Sequence, residues 1–317
     1  MAAGGAYHAG PVRRARRPAG PAHPRHPGAP AADMSEIEVL TAGALTTVQD
    51  LGRPGWAHLG VPRSGALDPE ALRLANRLVG NPEPAAGLEI TMTGCALRFT
   101  RATTVAVVGA EVDVRVGERP GDPGRPLAVP AGAVLRIGPA RRGLRCWLAV
   151  AGGIAVDPVL DSRATDTLAG LGPAPLRDGD RLPVGVPIGP PAPVDVTVPR
   201  AHPQELHLTV RLGPRHDWFD TVALDRLYGT AYTVSPLSNR VGARLTGAPL
   251  PRAVPGELHS EGVVLGAVQV PADGQPLIFL ADHPTTGGYP VIAVVDDVTP
   301  LAQARPGTTV RFHGPQR

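Results

Sequence analysis

The sequence predicts a mostly β protein built as two lobes with a few short helices. Three observations carry that expectation. Glycine (39) and proline (38) make up about a quarter of the 317 residues, roughly twice their usual share. The hydrophobic content of 43% is too high for a chain disordered throughout. The apolar residues fall in short runs closed by Gly/Pro turns, the pattern of strands joined by tight connections.

Taken in order, residues 36–49 read as strand, with Ile37 and Val39 at its centre. The clearest helix follows: Asp68 suits the N-cap, Pro69 the first helical position, and Leu72, Ala75, Leu78 and Val79 form one apolar stripe. Gly80 ends it in the left-handed conformation that closes many helices. Short strands are expected at 88–90, 96–99, 104–108 and 144–150, with others to about residue 182. Seven prolines in residues 183–204 predict a semi-rigid connector. The second lobe, 205–317, opens with a strand at 206–212. Asp217 then caps a helix through Phe219, Ala223, Leu224 and Leu227 to Gly229. Strands at 262–270, 277–280 and 291–295, a helical turn at 300–305 and a closing strand at 308–312 complete it. The first lobe spans 36–182.

Residues 1–33 are set apart by composition. Val12 is their only branched aliphatic, so the segment reads as a solvated tail, and Met34 is an alternative start. The tail carries five arginines against Asp33; the remaining chain has 26 arginines and 27 acids, so the net charge of +3 belongs to the tail. A near-neutral body with 3% aromatics argues against nucleic-acid binding. All 31 basic residues are arginine, which excludes a Schiff-base lysine, a lysine general base and a standard Walker A loop. The absence of a signal h-region and of long apolar runs predicts a soluble, cytoplasmic protein with no membrane association. Cys95 and Cys146 are expected to be free, Cys146 as a small buried hydrophobe, and no metal-ligand spacing occurs.

Generic hydrolase motifs are absent. Ser64 lies one position out of register for a G-x-S-x-G elbow. His259, Ser260 and Glu261 alternate faces if they lie on a strand, so they form no relay. What recurs instead is polar residues in loop-like segments. These are 49–55 and 60–68, Ser162-Arg163, Gly213-Pro214-Arg215, residues 238–245, Ser260-Glu261-Gly262, Gln269-Val270-Pro271 and residues 282–290. Each alone is compatible with a solvated turn.

Those segments, as TAGALTTVQDLGRPGWAHLGVPRSGALD, LANRLVGNPEPAAGLEIT, CWLAVAGGIAVDPVLDSRAT, LSNRVGARLTG, HSEGVVLGAVQVPADGQP and ADHPTTGGYPVIAVV, make the chain resemble a known family. It is the second-subunit family of bacterial allophanate hydrolase and biotin-dependent carboxyltransferase proteins, associated with the C-type subunit of 5-oxoprolinase. The resemblance runs from about residue 36 to 313. Pro284 departs from it, standing where many members carry glutamine. The resemblance implies two lobes built around cyclophilin-like β-barrels.

The resemblance also implies three functions. The favoured one is ATP-dependent opening of the 5-oxo-L-proline lactam to L-glutamate. Its partners would be a smaller carboxyltransferase-like subunit and a LamB/YcsF-like subunit, with little activity expected of this chain alone. The alternative is a carboxyltransferase subunit acting between biotin and urea-type substrates; the third is a regulator that antagonises a kinase inhibitor. Both enzymatic readings concern an N–C=O group, whose activation needs donors aimed at the oxygen. The expected catalytic residues are Glu261 and Asp282, as proton-handling carboxylates, and Arg240. Gln49, Arg53, Arg63, Asn239, Ser260, Gln269, Thr286, Gly287, Gly288 and Tyr289 are expected to bind substrate in one cleft, and no metal is expected. Arg240 sits in a bend: if it grips an anion from an exposed position, Arg240→Lys would lower activity and barely change the melting temperature, and if it clamps the lobes the same change would lower both.

Overall fold

The computed structural model describes residues 35–191 and 202–315; the tail at 1–33 and the middle of the proline-rich connector lie outside the described residues. The mostly β reading holds, and of the two expected barrels one is closed while the other half is built of two open sheets. In the first lobe a six-stranded sheet runs in the order Arg181–Val184, Ser35–Thr41, Cys95–Phe99, Val134–Ile137, Val114–Val116, Arg119–Gly121. A five-stranded sheet runs Leu45–Gln49, Gly87–Thr91, Arg142–Val150, Thr103–Glu111, Leu127–Val129. The second lobe is a closed barrel: Glu205–Leu212, Val291–Val295, Ala267–Gln269, Leu277–Phe279, Gly242–Thr246, Tyr232–Val234, Thr309–His313. Parallel pairing of Glu205–Leu212 with Thr309–His313 closes it, leaving no free edge. A separate two-stranded flap pairs Glu261–Gly262 with Thr286–Gly287.

Helix α1 (Pro69–Leu78) forms as its sequence dictates, with the Asp68 side chain accepting a hydrogen bond from the Ala71 N–H and Gly80 at φ 76°. It packs where the lobes meet. Strand Arg142–Val150 is buried from Gly143 onward because both its faces are covered. Cys146, Leu148 and Val150 enter the first lobe's core, while Trp147 joins Ala71 and Leu72 of α1 in the barrel's core. The lobes therefore share apolar interior, the strongest stabilising term available to them. Both cysteines are buried and free; burial pushes the Cys95 thiol up to about 12 and that of Cys146 higher still.

Two expectations need correction. Helix α2 spans Thr221–Gly229 and is capped by Asp220, whose side chain accepts from the Ala223 N–H. Asp217 lies instead in a 3-10 turn, His216–Trp218. The backbone at Phe219 is extended, which separates that turn from the helix. The expected strand at 262–270 is two short pieces, Glu261–Gly262 and Ala267–Gln269, interrupted by a turn at Gly266 (φ 81°).

Candidate functional site

A cleft of about 990 Å³ lies between the lobes. One wall comes from the first lobe's loops, through Leu51 and residues 57–67. The other comes from the flap and barrel loops, through residues 262–265, Ala281, His283, Thr285, Thr286 and residues 295–299. Its shape depends on a crossing of two loops at Gly52 and Gly65. A Cβ on Gly52 would stand 2.5 Å from the Arg63 carbonyl oxygen, and one on Gly65 would stand 2.7 Å from the Gly52 nitrogen. Only glycine permits that approach. Between them Ser64 adopts φ 53°, uncommon for a residue with a side chain, and its N–H donates to the Ala281 carbonyl across the lobe boundary.

Beneath this floor is a sealed ion network. The Arg240 side chain is 0% exposed and Asp282 is likewise 0% exposed. Arg240 donates through Nε and Nη2 to both Asp282 oxygens, each at 2.9 Å, and through Nη1 to Glu89 at 2.6 Å. Glu89 also accepts from Trp147 Nε1 and the Leu67 N–H, with Arg145 Nε 3.5 Å away. Ser64 Oγ donates to Asp282 at 2.6 Å, and Thr167 adds its N–H and hydroxyl. Two cations thus face two anions in the interior. Burial pulls Arg145 down to about 10 against the Glu89 charge. Burial would lower Arg240 too, but Glu89 and Asp282 hold it above its ordinary value. Burial pushes Asp282 up, and the Arg240 charge with its hydrogen bonds outweighs that, keeping its pKa below the usual range.

The residues expected in one cleft therefore separate. Arg63 and Thr286 line it. Arg240 is not exposed, because the bend turns the side chain inward; Asp282 has both oxygens committed to internal donors. Gln49 and Arg53 are buried too, Gln49 donating to Thr47 Oγ1 and the Thr165 carbonyl, Arg53 to the Val159 and Ala164 carbonyls. Asn239 is exposed and accepts from the Val241 and Gly242 N–H groups, locking its own turn. Glu261 pairs with Arg215 at the base of the flap. Gly287 sits in the flap, Gly288 and Tyr289 just beyond it, and Gln269 donates to the Tyr289 carbonyl at 2.9 Å. Ser260 is exposed beside the flap.

His283 is the residue sequence reasoning missed. It lines the cleft and is 9% exposed. Its Nδ1 lies 2.6 Å from the Pro284 carbonyl, which can only accept, so Nδ1 carries the proton and Nε2 the lone pair. Burial lowers its pKa, against the Pro284 hydrogen bond and the Asp282 charge, so the ring is biased to the neutral form. Its only signal in sequence was adjacency to Asp282 within a polar segment. The carbonyl contact is made by backbone, so the departure at Pro284 leaves it intact. Arg63, exposed on the opposite wall, has no ion-pair partner among the described residues. Asp296 and Asp297 stand at the barrel side, Asp296 paired with Arg211 at 2.9 Å. The arrangement can hold an anionic group at Arg63 and move a proton at His283 Nε2.

Comparison with known proteins gives this closed barrel and two-sheet lobe a family. Residues 59–314 match the family described as carboxyltransferase domain, subdomain A and B, and the chain belongs to that family. It is 38% identical over 284 residues to the C-type subunit of 5-oxoprolinase from Escherichia coli, covering 87% of this chain and 90% of that one. It is 32% identical to urea amidolyase of Lachancea kluyveri, of which the match spans only 17%. Among solved structures, TTHA0988 superposes with a TM-score of 0.80 at 37% identity, over 89% of this chain and 56% of its own. The K. lactis urea amidolyase superposes with a TM-score of 0.82 at 31% identity, over 89% of this chain and 19% of its own. Among the described residues, no helix is long and apolar enough to cross a membrane.

Proposed function

We propose that this chain is a subunit of an ATP-dependent 5-oxoprolinase that opens the 5-oxo-L-proline lactam to L-glutamate. The observation that carries the reading is the cleft, where an unpaired arginine and a neutral histidine with a free Nε2 line one space. In this reading Arg63 grips the substrate carboxylate, and His283 Nε2 handles the proton at the lactam nitrogen or at the attacking oxygen. The ionised Asp282 and Arg240 hold the backbone on which His283 sits. The 38% identity to a 5-oxoprolinase subunit of Escherichia coli supports the choice of substrate.

The cleft suits ATP poorly. A triphosphate needs several cations, whereas here Arg63 and the exposed His58 face Asp296 and Asp297. We therefore assign nucleotide binding to another chain of the complex, which includes a smaller carboxyltransferase-like subunit and a LamB/YcsF-like subunit. The urea amidolyase relatives favour a second reading, carboxyl transfer between biotin and a urea-type nitrogen, which uses the same histidine. Reconstitution with the candidate partners decides between them. Glutamate formed from 5-oxoproline and ATP supports the first; turnover only with urea and carboxybiotin supports the second. In the active complex His283→Gln is expected to lower kcat by about a hundredfold or more, the scale of a lost general base. Arg63→Lys, keeping charge but losing the fork, is expected to raise KM by about tenfold. Wild-type values in both variants would remove the cleft from the reaction.

A further inference from the structure

We propose that Arg215 and Glu261 form a latch that holds the flap as one wall of the cleft, making Glu261 a positioning residue. The flap's two strands are fastened by different means. Thr286–Gly287 is pinned from inside. Gln269, 3% exposed, donates to the Tyr289 carbonyl at 2.9 Å, and its amide lies so close to Gly287 that a Cβ there would approach within 2.4 Å. Glu261–Gly262 has no such buried side-chain hydrogen bond among the described residues. Among the described residues it is held by its pairing with Thr286–Gly287, by Val263, whose N–H bonds the Thr285 carbonyl and whose side chain packs on Ala267, Phe279 and Val291, and by the Arg215 fork. Arg215 Nε meets Glu261 Oε2 at 2.9 Å and Nη2 meets Oε1.

The two ends of the latch differ in rigidity. Arg215 follows a turn tied to a central barrel strand, with the Gly213 N–H bonded to the Ile292 carbonyl and the Arg215 N–H to the Val291 carbonyl. Glu261 leads directly into residues 262–265, which line the cleft, with Val264 and Leu265 56% and 43% exposed. These apolar side chains are kept at the cleft wall by an ion pair whose members are themselves 36% and 32% exposed. A fork of that exposure is screened by salt and is modest in strength, which suits a wall that opens and closes. An open flap lowers the fraction of molecules competent to bind, so it weakens apparent affinity without touching the chemical step.

The test is hydrogen exchange on the full chain, comparing wild type, Glu261→Gln, Arg215→Met and the charge swap Arg215→Glu with Glu261→Arg. Each single variant is expected to exchange about threefold faster at 261–265, the scale of an exposed pair, with the paired 286–287 following and the barrel strand 291–295 unchanged, and the swap restoring protection. Raising salt on wild type reproduces the same pattern and needs no variant to fold. Singles that exchange like wild type, or salt that leaves 261–265 unchanged, overturn the latch. In the active complex, a kinetic readout resting on the proposed reaction expects KM raised about threefold with kcat kept, again restored by the swap. A collapse of kcat at unchanged KM, not rescued by the swap, would make Glu261 a reacting group instead. The exchange result stands whether or not 5-oxoproline is the substrate.

Discussion

At the scale of single residues, Arg240 shows how burial redefines a side chain. Its fork satisfies Asp282 with two bonds and Glu89 with a third, so lysine, a point charge, cannot replace it. Arg240→Met leaves two buried carboxylates short of a cation and is expected to cost about 3–5 kcal/mol in urea denaturation, with Arg240→Lys intermediate. An unchanged midpoint would mean the network contributes nothing. His283 offers a pH test. Its folded pKa lies below the ordinary 6.5, so the unfolded chain binds that proton more readily. The stabilisation is complete above the unfolded value and is lost as pH falls through the folded one. The melting temperature is expected to fall from about pH 7.5 to about pH 5, and less steeply in His283→Gln. Equal slopes would place the titrating group elsewhere. Asp282, also depressed, acts in a more acidic window by the same sign. Neither environment was legible in sequence, because a bend signalled by Asn239 and Gly242 does not say which way Arg240 points.

At the scale of elements, local chemistry was readable wherever the residues involved are neighbours in the chain. α1 was legible because its cap, its N1 proline and its terminal glycine all lie within the helix and its flanks. The cap of α2 lies three residues beyond the expected one because Asp217 and Asp220 are both plausible caps, and only the extended backbone at Phe219 separates them. The difference is measurable. Asp220→Ala removes the bond to the Ala223 N–H and is expected to cost about 1 kcal/mol. Asp217→Ala, outside the helix, is expected to change stability by less than about 0.5 kcal/mol. The flap was illegible for the opposite reason. Its strands are two residues each, too short for any alternation to register, and they pair across 24 positions or more of intervening chain.

For the whole molecule, the question is whether two lobes unfold as two units. The seam between them argues for one. Strand Arg142–Val150 carries an irregularity in its pairing between Arg142 and Cys146, which leaves backbone groups there without strand partners. Gln303, at the end of a 3-10 turn in the second lobe, fills the gap. Its Oε1 accepts from the Leu144 and Arg145 N–H groups, and its Nε2 donates to the Arg145 carbonyl. Arg145 returns a bond to the Ala302 carbonyl at 2.9 Å, and Arg305 donates to the Gly143 and Ala140 carbonyls. Beside this seam Trp147 is packed with barrel residues, so neither core is complete without the other. Gln303→Ala leaves two N–H groups short of partners and is expected to cost about 2 kcal/mol while keeping a single transition. Coincident urea curves by tryptophan fluorescence and far-ultraviolet circular dichroism, in wild type and variant alike, are the expected result. Two separated transitions in the wild type would show that the lobes are independent and that the seam merely brings them into contact. The cleft, whose walls come from both lobes, would then owe its shape to docking and not to folding.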